Sequence, residues 1–357
     1  MTQSPSIPLL PPAASSKAKS RKFGLLGNIA LWSLVMVLLR LYAPDWYRDV
    51  VRGNMLVFMA LLLVCAWVHV IIHELGHALV GKLVGMEVFS IGVFRWRWDH
   101  DGETWRRRYG EAVAGISGYV LLAPRPGTPL SRSRIALYAL GGPAANLLLA
   151  VPVLAIWLVG DVTGVAKLAL GAWVFVGLAF GLVNLLPFRS GGFRTDGGKL
   201  LDLLRDPQGV FIGFMALQVI RASRSGTRAR DWDEGLLAPW ADYRELQTDD
   251  RVAAAGNCLL RALDQNDPAV ADDCARCLLE HFSTASGATR SGIALLMAMH
   301  AVPRGHPLEA IRAWRAEIGP HLIDLGAYRA WLDAEIALRE GRSDEARSQL
   351  EIGRAHV

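Results

Sequence analysis

The chain has 357 residues, 52% of them hydrophobic, with a net charge of +5 and a mean hydropathy of +0.27. These averages conceal a division: apolar runs crowd the first half, whereas the sequence after about Gln208 is charged and helix-patterned, so two regions in different solvents are expected. Four cysteines, one in an apolar run and three in the charged part, exclude a disulfide framework, and the pattern contains no nucleic-acid-binding module.

In chain order, residues 1–23 form a polar tail in which Lys17, Lys19, Arg21 and Lys22 meet no acid. Residues 24–42, 54–81, 133–160 and 165–186 each hold enough apolar length to span about 30 Å at about 1.5 Å per residue. Four membrane helices are expected. The first lacks a small-residue cleavage pattern, so it is read as an anchor and not as a cleaved signal peptide. Lys82, Arg95, Arg97, Arg106, Arg107, Arg108, Arg125, Arg132 and Arg134 crowd the loop between spans two and three, whereas the connections from Tyr42 to Gly53 and from Gly160 to Val165 carry only Arg48 and Arg52. The basic segments are therefore expected to be cytoplasmic, with both termini inside, in an integral multi-pass protein of a bacterial-type inner (cell) membrane. Basic loops resting on anionic lipid fit the pI of 9.2.

The second span contains His73-Glu74-Leu75-Gly76-His77. Residues four apart share a helix face, so both imidazoles can bind one cation while Glu74 addresses a water beside it. A chance occurrence is the plain alternative. Against it, each charged residue at the centre of a lipid-facing span costs on the order of 3 kcal/mol. His69 lies one turn earlier on the same face, and a hydrogen bond to a neighbouring helix is its expected use.

Further on, Glu87 to Trp105 reads as strand with an Asp101-Gly102 turn, suited to offering an edge to an unwound peptide or to anchoring aromatics at the interface. Span three carries Gly141-Gly142-Pro143-Ala144-Ala145-Asn146, small residues that permit close helix approach, followed by an amide. Span four ends in Asn184-Leu185-Leu186-Pro187, and a Gly-rich turn leads to Asp196-Gly197-Gly198. A catalytic zinc takes three protein ligands, and Asp196 is the best third. Helix packing alone is the plainer account of the Gly-Pro-Ala-Ala stretch, and a turn before a helix that of Asp196.

At these residues the sequence closely resembles the site-2 protease family of intramembrane zinc metalloproteases. The His-Glu-x-x-His around Glu74, the Gly-x-x-x-Asn from Gly142 to Asn146, and the Asn-x-x-Pro followed by Asp-Gly at Asn184, Pro187, Asp196 and Gly197 carry the resemblance, over residues 54 to about 205. It implies that His73, His77 and Asp196 hold Zn2+, that Glu74 is the general base, and that Asn146 and Asn184 place or polarise the substrate peptide. One departure is the longer stretch from Phe188 to Thr195 between Pro187 and Asp196. With the topology above, all three motifs reach a similar depth in the cytoplasmic part of the membrane, His73 lying about 27 Å beyond Met55. Hydrolysis there needs a cavity open to the cytoplasm, and Asn146 is suited to donate to a developing oxyanion.

After Asp196 a short apolar segment, Val210 to Ile220, is read as an interfacial or buried helix, a fifth span remaining open, and Arg221 to Arg230 as a basic linker on the headgroups. Beyond Trp240 a period of 36 relates Asp273-Cys274, Glu309-Ala310 and Glu345-Ala346, and also Gly305 and Gly341, which is similar to tetratricopeptide-like hairpins. Cys274-x-x-Cys277 sits within this helical pattern and reads as a buried face. The expected fold is thus mostly α: a polytopic membrane bundle with a small interfacial β segment and a cytoplasmic helical domain. Its divisions are the tail 1–23, a metalloprotease domain 24–220, a linker 221–239 and a helical domain 240–357. The expected partners are a transmembrane protein substrate, the lipid bilayer and a cytoplasmic protein met by residues 240–357. Two rival functions stay open: a membrane metalloprotease of another class with Glu103 or Glu111 as third ligand, and a catalytically silent scaffold.

Overall fold

A computed structural model describes residues 9–12, 54–100, 102–110, 116–125, 127–190, 193–237, 248–285 and 287–355. The anchor expected at 24–42, most of the tail and Glu111 lie outside them.

Three described helices are long and apolar enough to cross a membrane: α1 (Met55–Leu83), α2 (Arg132–Val159) and α3 (Gly164–Leu185). They pack pairwise on one another. Their outer faces expose Leu56, Leu63, Val64, Leu148, Leu158 and Val159, whereas His69, His73, His77 and Asn146 are buried between them. This inversion is what a hydrocarbon solvent demands, since polar side chains must find partners inside the bundle. The α1–α2 crossing is backbone against backbone: a Cβ on Gly141 would lie 2.7 Å from the Gly76 carbonyl oxygen.

Between α1 and α2 lies a four-stranded antiparallel sheet, β1 (Met86–Val93), β2 (Trp96–His100), β3 (Trp105–Tyr109) and β4 (Gly118–Pro124), in the order β3-β2-β1-β4. The single strand expected from Glu87 is therefore corrected. It folds back at Phe94-Arg95, with Val93 opposite Trp96 and Phe94 at φ 55°, a left-handed turn without the glycine or asparagine that would mark it in sequence. β4 pairs with β1, Val93 opposite Gly118 and Met86 opposite Pro124. Met86, Val88, Val120 and Leu122 pack against Ala78, Ile135 and Tyr138, fastening the sheet to the bundle.

After α3 the chain makes a two-stranded hairpin, β5 (Arg189–Ser190) with β6 (Phe193–Arg194), before α4 (Asp196–Arg205). Thr195 N–H donates to the Phe188 carbonyl at 3.0 Å, so the hairpin loops out the extra residues after Pro187 and returns the chain beside the end of α3. Thr195 Oγ1 donates to Leu186 O at 2.6 Å and caps α4 by accepting from Gly198 N–H at 3.2 Å.

α5 (Pro207–Arg224) is not among the helices apolar enough to span, and it packs on β4. It also runs into the segment read as a headgroup linker. Arg221 pairs with Glu87 at 2.5 Å, and Arg224 with the buried Asp99 at 3.1 Å. Arg97 also pairs with Asp99, at 2.8 Å. Burial opposes charge on Asp99, yet Arg224 and Arg97 hold its carboxyl below the usual range.

A short helix α6 (Glu234–Leu237) precedes six helices: α7 (Thr248–Gln265), α8 (Pro268–Phe282), α9 (Gly287–Ala301), α10 (Leu308–Ala316), α11 (Gly326–Arg339) and α12 (Ser343–Ala355). Three of the joints share one geometry. Asn266, Gly305 and Gly341 take φ of 57°, 65° and 78°, and in each case the next N–H reaches back five residues to a carbonyl, as in a Schellman cap. Consecutive helices pack around Leu259, Cys274, Leu278, Phe282, Ile293 and Trp314. Trp314 Nε1 donates to the Leu9 carbonyl at 3.0 Å, so residues 9–12 lie against these helices.

Candidate active site

One turn of α1 separates His73 from His77, and their Nε2 atoms stand 3.2 Å apart. Asp196, the first residue of α4, meets both: its Oδ2 is 3.0 Å from His73 Nε2 and 3.1 Å from His77 Nε2. These three buried residues could hold a metal ion. The hairpin before α4 is what makes the meeting geometric and not accidental, because it fixes where the helix begins. Gly197 is required there: a Cβ would run into the backbone of Leu185. Gly142 is required for the imidazoles, since its Cβ would lie 2.7 Å from His77 Cδ2 and 2.8 Å from His73 Cε1.

Each member has a further partner. His77 Nδ1–H donates to the Tyr138 carbonyl at 2.8 Å, which leaves a lone pair on Nε2 facing Asp196. Lys199, one turn along α4, places Nζ 3.0 Å from Asp196 Oδ1. Burial works against charge on Asp196, but the Lys199 ammonium and the contact with His73 hold its carboxyl far below the usual range. Sequence reasoning passed over Lys199 and Tyr138. The spacing of Lys199 from Asp196 was a visible signal; the Tyr138 carbonyl had none, because any residue supplies one.

Glu74 is also buried, with its Oε1 within 2.8 Å of where a Cβ on Gly118 would stand, so the carboxyl lies against the start of β4. The cluster opens into a cavity of about 1150 Å³, lined by His73, Glu74, His77 and Asp196, by Gly118–Leu121 of β4, and by Asn184. Asn184 donates from Nδ2 to Phe180 O at 2.9 Å on its own helix. Asn146 is placed elsewhere. It is fully buried behind His73, does not line the cavity, and uses both amide atoms on histidines: Nδ2 at 3.2 Å from His73 Nδ1, Oδ1 at 3.0 Å from His69 Nδ1. His69 thus has the neighbouring-helix partner expected of it. Glu103 is exposed in the β2–β3 turn, apart from the cluster.

The strand edge beside the cluster belongs to β4, not to the Glu87–Trp105 segment: β1 is interior and β3 is the far edge. The run Tyr119-Val120-Leu121-Leu122 between Gly118 and Pro124 was the overlooked signal. The joint from α10 to α11 also reaches this cavity. Leu322 lines it, and the Leu322 carbonyl accepts from Arg97 Nη2 at 2.7 Å and from Tyr119 OH at 3.1 Å, while Arg108 pairs with Asp324.

No curated protein and no solved structure matches the chain. Residues 59–168, which carry His69, His73, Glu74, His77 and Asn146 and stop short of Asp196, match the model of peptidase family M50, the site-2 protease family.

Proposed function

We propose that the chain is an intramembrane zinc metalloendopeptidase that hydrolyses peptide bonds in or near transmembrane segments of other proteins. The convergence of His73 Nε2, His77 Nε2 and Asp196 Oδ2 within 3.2 Å, beside Glu74 and between apolar helices, carries this reading. The donor set fits a zinc ion. Because Tyr138 O fixes the proton of His77 on Nδ1, a lone pair and a carboxylate oxygen face each other at 3.1 Å, an arrangement that a cation between them relieves.

His73, His77 and Asp196 would hold the zinc, which when bound supplies Lewis-acid polarisation of a peptide carbonyl and acidifies water. The Glu74 carboxylate takes the proton of the attacking water and returns it to the leaving amine. Lys199 keeps Asp196 ionised. Asn184, at the cavity wall, orients the substrate backbone. A substrate helix must unwind before its carbonyl can be reached, and the open edge of β4, which starts at Glu74, offers the freed backbone a pairing partner. Basic loops support a reading in which the cavity mouth and both termini are on the cytoplasmic side of a cell membrane, and the contact between Leu9 and Trp314 is consistent with termini on one side. The repeated caps at Gly305 and Gly341 support a tetratricopeptide-like platform for a cytoplasmic partner.

The purified chain is expected to bind close to one zinc, to lose it in His73→Ala and to hold it weakly in Asp196→Ala. Cleavage of a model transmembrane substrate should vanish in Glu74→Gln. Cleavage that persists there would sink the mechanism, and zinc retained in Asp196→Ala but lost in Glu111→Ala would favour the rival ligand set. Full zinc binding with no cleavage of any membrane substrate would favour the scaffold.

A further inference from the structure

We propose that His69 is a positioning residue that, through Asn146, decides which nitrogen of His73 carries the proton, and so whether His73 offers a lone pair to a cation. This rests on the metal-binding reading above.

His69 and Asn146 are wholly buried, and neither lines the cavity. The contacts form one directional chain. His69 Nδ1–H donates to Asn146 Oδ1 at 3.0 Å, and Asn146 Nδ2–H donates to His73 Nδ1 at 3.2 Å. His73 Nε2–H then donates to Asp196 Oδ2 at 3.0 Å. In that direction His73 is satisfied but has no lone pair on Nε2. Holding a cation requires the opposite direction: His73 Nδ1–H must donate, so Asn146 must present oxygen to His73 and nitrogen to His69.

A half-turn of the Asn146 amide achieves this with almost no change of shape. It is possible only if the group beyond Asn146 can change from donor to acceptor on the same atom. An imidazole can: His69 moves its proton from Nδ1 to Nε2, His73 moves its own from Nε2 to Nδ1, and each ring stays neutral with one proton. His69 Nε2 has no partner at hydrogen-bond distance, and Trp173 packs beside the imidazole with both its backbone and its ring, the ring centroids 4.5 Å apart. His77 has less freedom, because the Tyr138 carbonyl, which only accepts, stands 2.8 Å from its Nδ1, closer than the Gly142 N–H that faces the same atom at 3.3 Å. One ligand is therefore locked ready and the other is set by a reversible relay. Gly177 keeps room for the ring, since a Cβ there would lie 2.7 Å from His69 Cε1.

The test is zinc affinity of the full chain in detergent, measured by competition with a chelating indicator. His69→Met and His69→Gln have similar length, but only Gln can donate or accept. Met is expected to weaken zinc binding about 10- to 100-fold, the usual loss for a partner behind a ligand, and Gln to recover most of it. His69→Met should add nothing further in an Asn146→Leu background. A packing role predicts Met at least as good as Gln in this apolar interior. Equal affinity for wild type and His69→Met, or equal loss for Met and Gln, overturns the relay. Should His69→Met not fold, Asn146→Asp, an obligate acceptor that suits the cation-holding direction, must bind zinc more tightly than Asn146→Leu, and the reverse order also overturns it. A wild-type chain that binds no zinc brings down the metal reading itself, whereas a zinc-binding wild type with an unaffected His69→Met brings down the relay alone.

Discussion

The bundle of α1–α3 and the stack of α7–α12 obey opposite rules of burial. In the bundle His69, His73, His77 and Asn146 are buried beside an apolar cluster of Phe58, Cys65, Leu168, Ala172 and Val176, and the exposed side chains include Leu63, Leu148 and Val159. In the stack Leu259, Cys274, Phe282 and Trp314 are buried, and charged residues such as Glu280 and Glu309 lie outward. One chain thus shows that what is buried depends on the solvent: water drives apolar groups inward, hydrocarbon leaves them outside and forces polar groups together.

Substitutions can break this contrast, those at the zinc ligands first. Gly142→Ala drives a methyl into both imidazoles and should reduce zinc affinity and proteolysis by about 100-fold or more, as misplacement by an ångström does; Gly305→Ala, where φ is 65° but the space is open, should leave zinc binding intact and lower the melting temperature only slightly, by about 1 kcal/mol of stability. Trp314→Ala removes a buried ring that meets Phe282 at 5.0 Å and should destabilise the stack by about 3–5 kcal/mol, read by thermal unfolding, while leaving the zinc site filled. Leu63→Arg, on the lipid-facing side, should impair insertion by about 3 kcal/mol in a membrane-integration assay, whereas the same change at the exposed Leu338 should be near neutral.

A pH-dependent effect concerns the joint on which the two regions meet. Burial, with Arg97 and Arg329 nearby, pushes the His321 imidazole down to about 4. The undocked imidazole, at its ordinary value of about 6.5, takes a proton first. Docking of the 317–325 segment is thus fully supported above pH 6.5 and weakens as pH falls from there towards 4. Protease protection of this segment measured across that range should decline in the wild type, and His321→Asn should flatten the decline.

Much of the site was legible in the sequence because it depends on short-range geometry. The spacing of His73 and His77 puts two imidazoles on one helix face whatever else the chain does, and the apolar runs at 54–81, 133–160 and 165–186 are local sums. The turn at Phe94-Arg95 was hidden because it lacks a marker residue, and β4 because a short apolar run does not declare its partner. Asn146 was legible as an amide facing a neighbouring helix, but not its side of His73, since that depends on how α2 rolls against α1.

By itself the sequence determined the chemistry on offer: two imidazoles and a carboxyl on one turn, small residues facing them, and helices whose surfaces suit lipid. Only the tertiary structure decided how that chemistry is assembled. The β5–β6 hairpin delivers Asp196 to within 3.1 Å of both histidines, β4 runs past Glu74, and Leu322, more than a hundred residues beyond the bundle, stands at the cavity. Each is a contact between residues far apart in the chain, fixed by which surfaces exclude or require water and not by any local propensity.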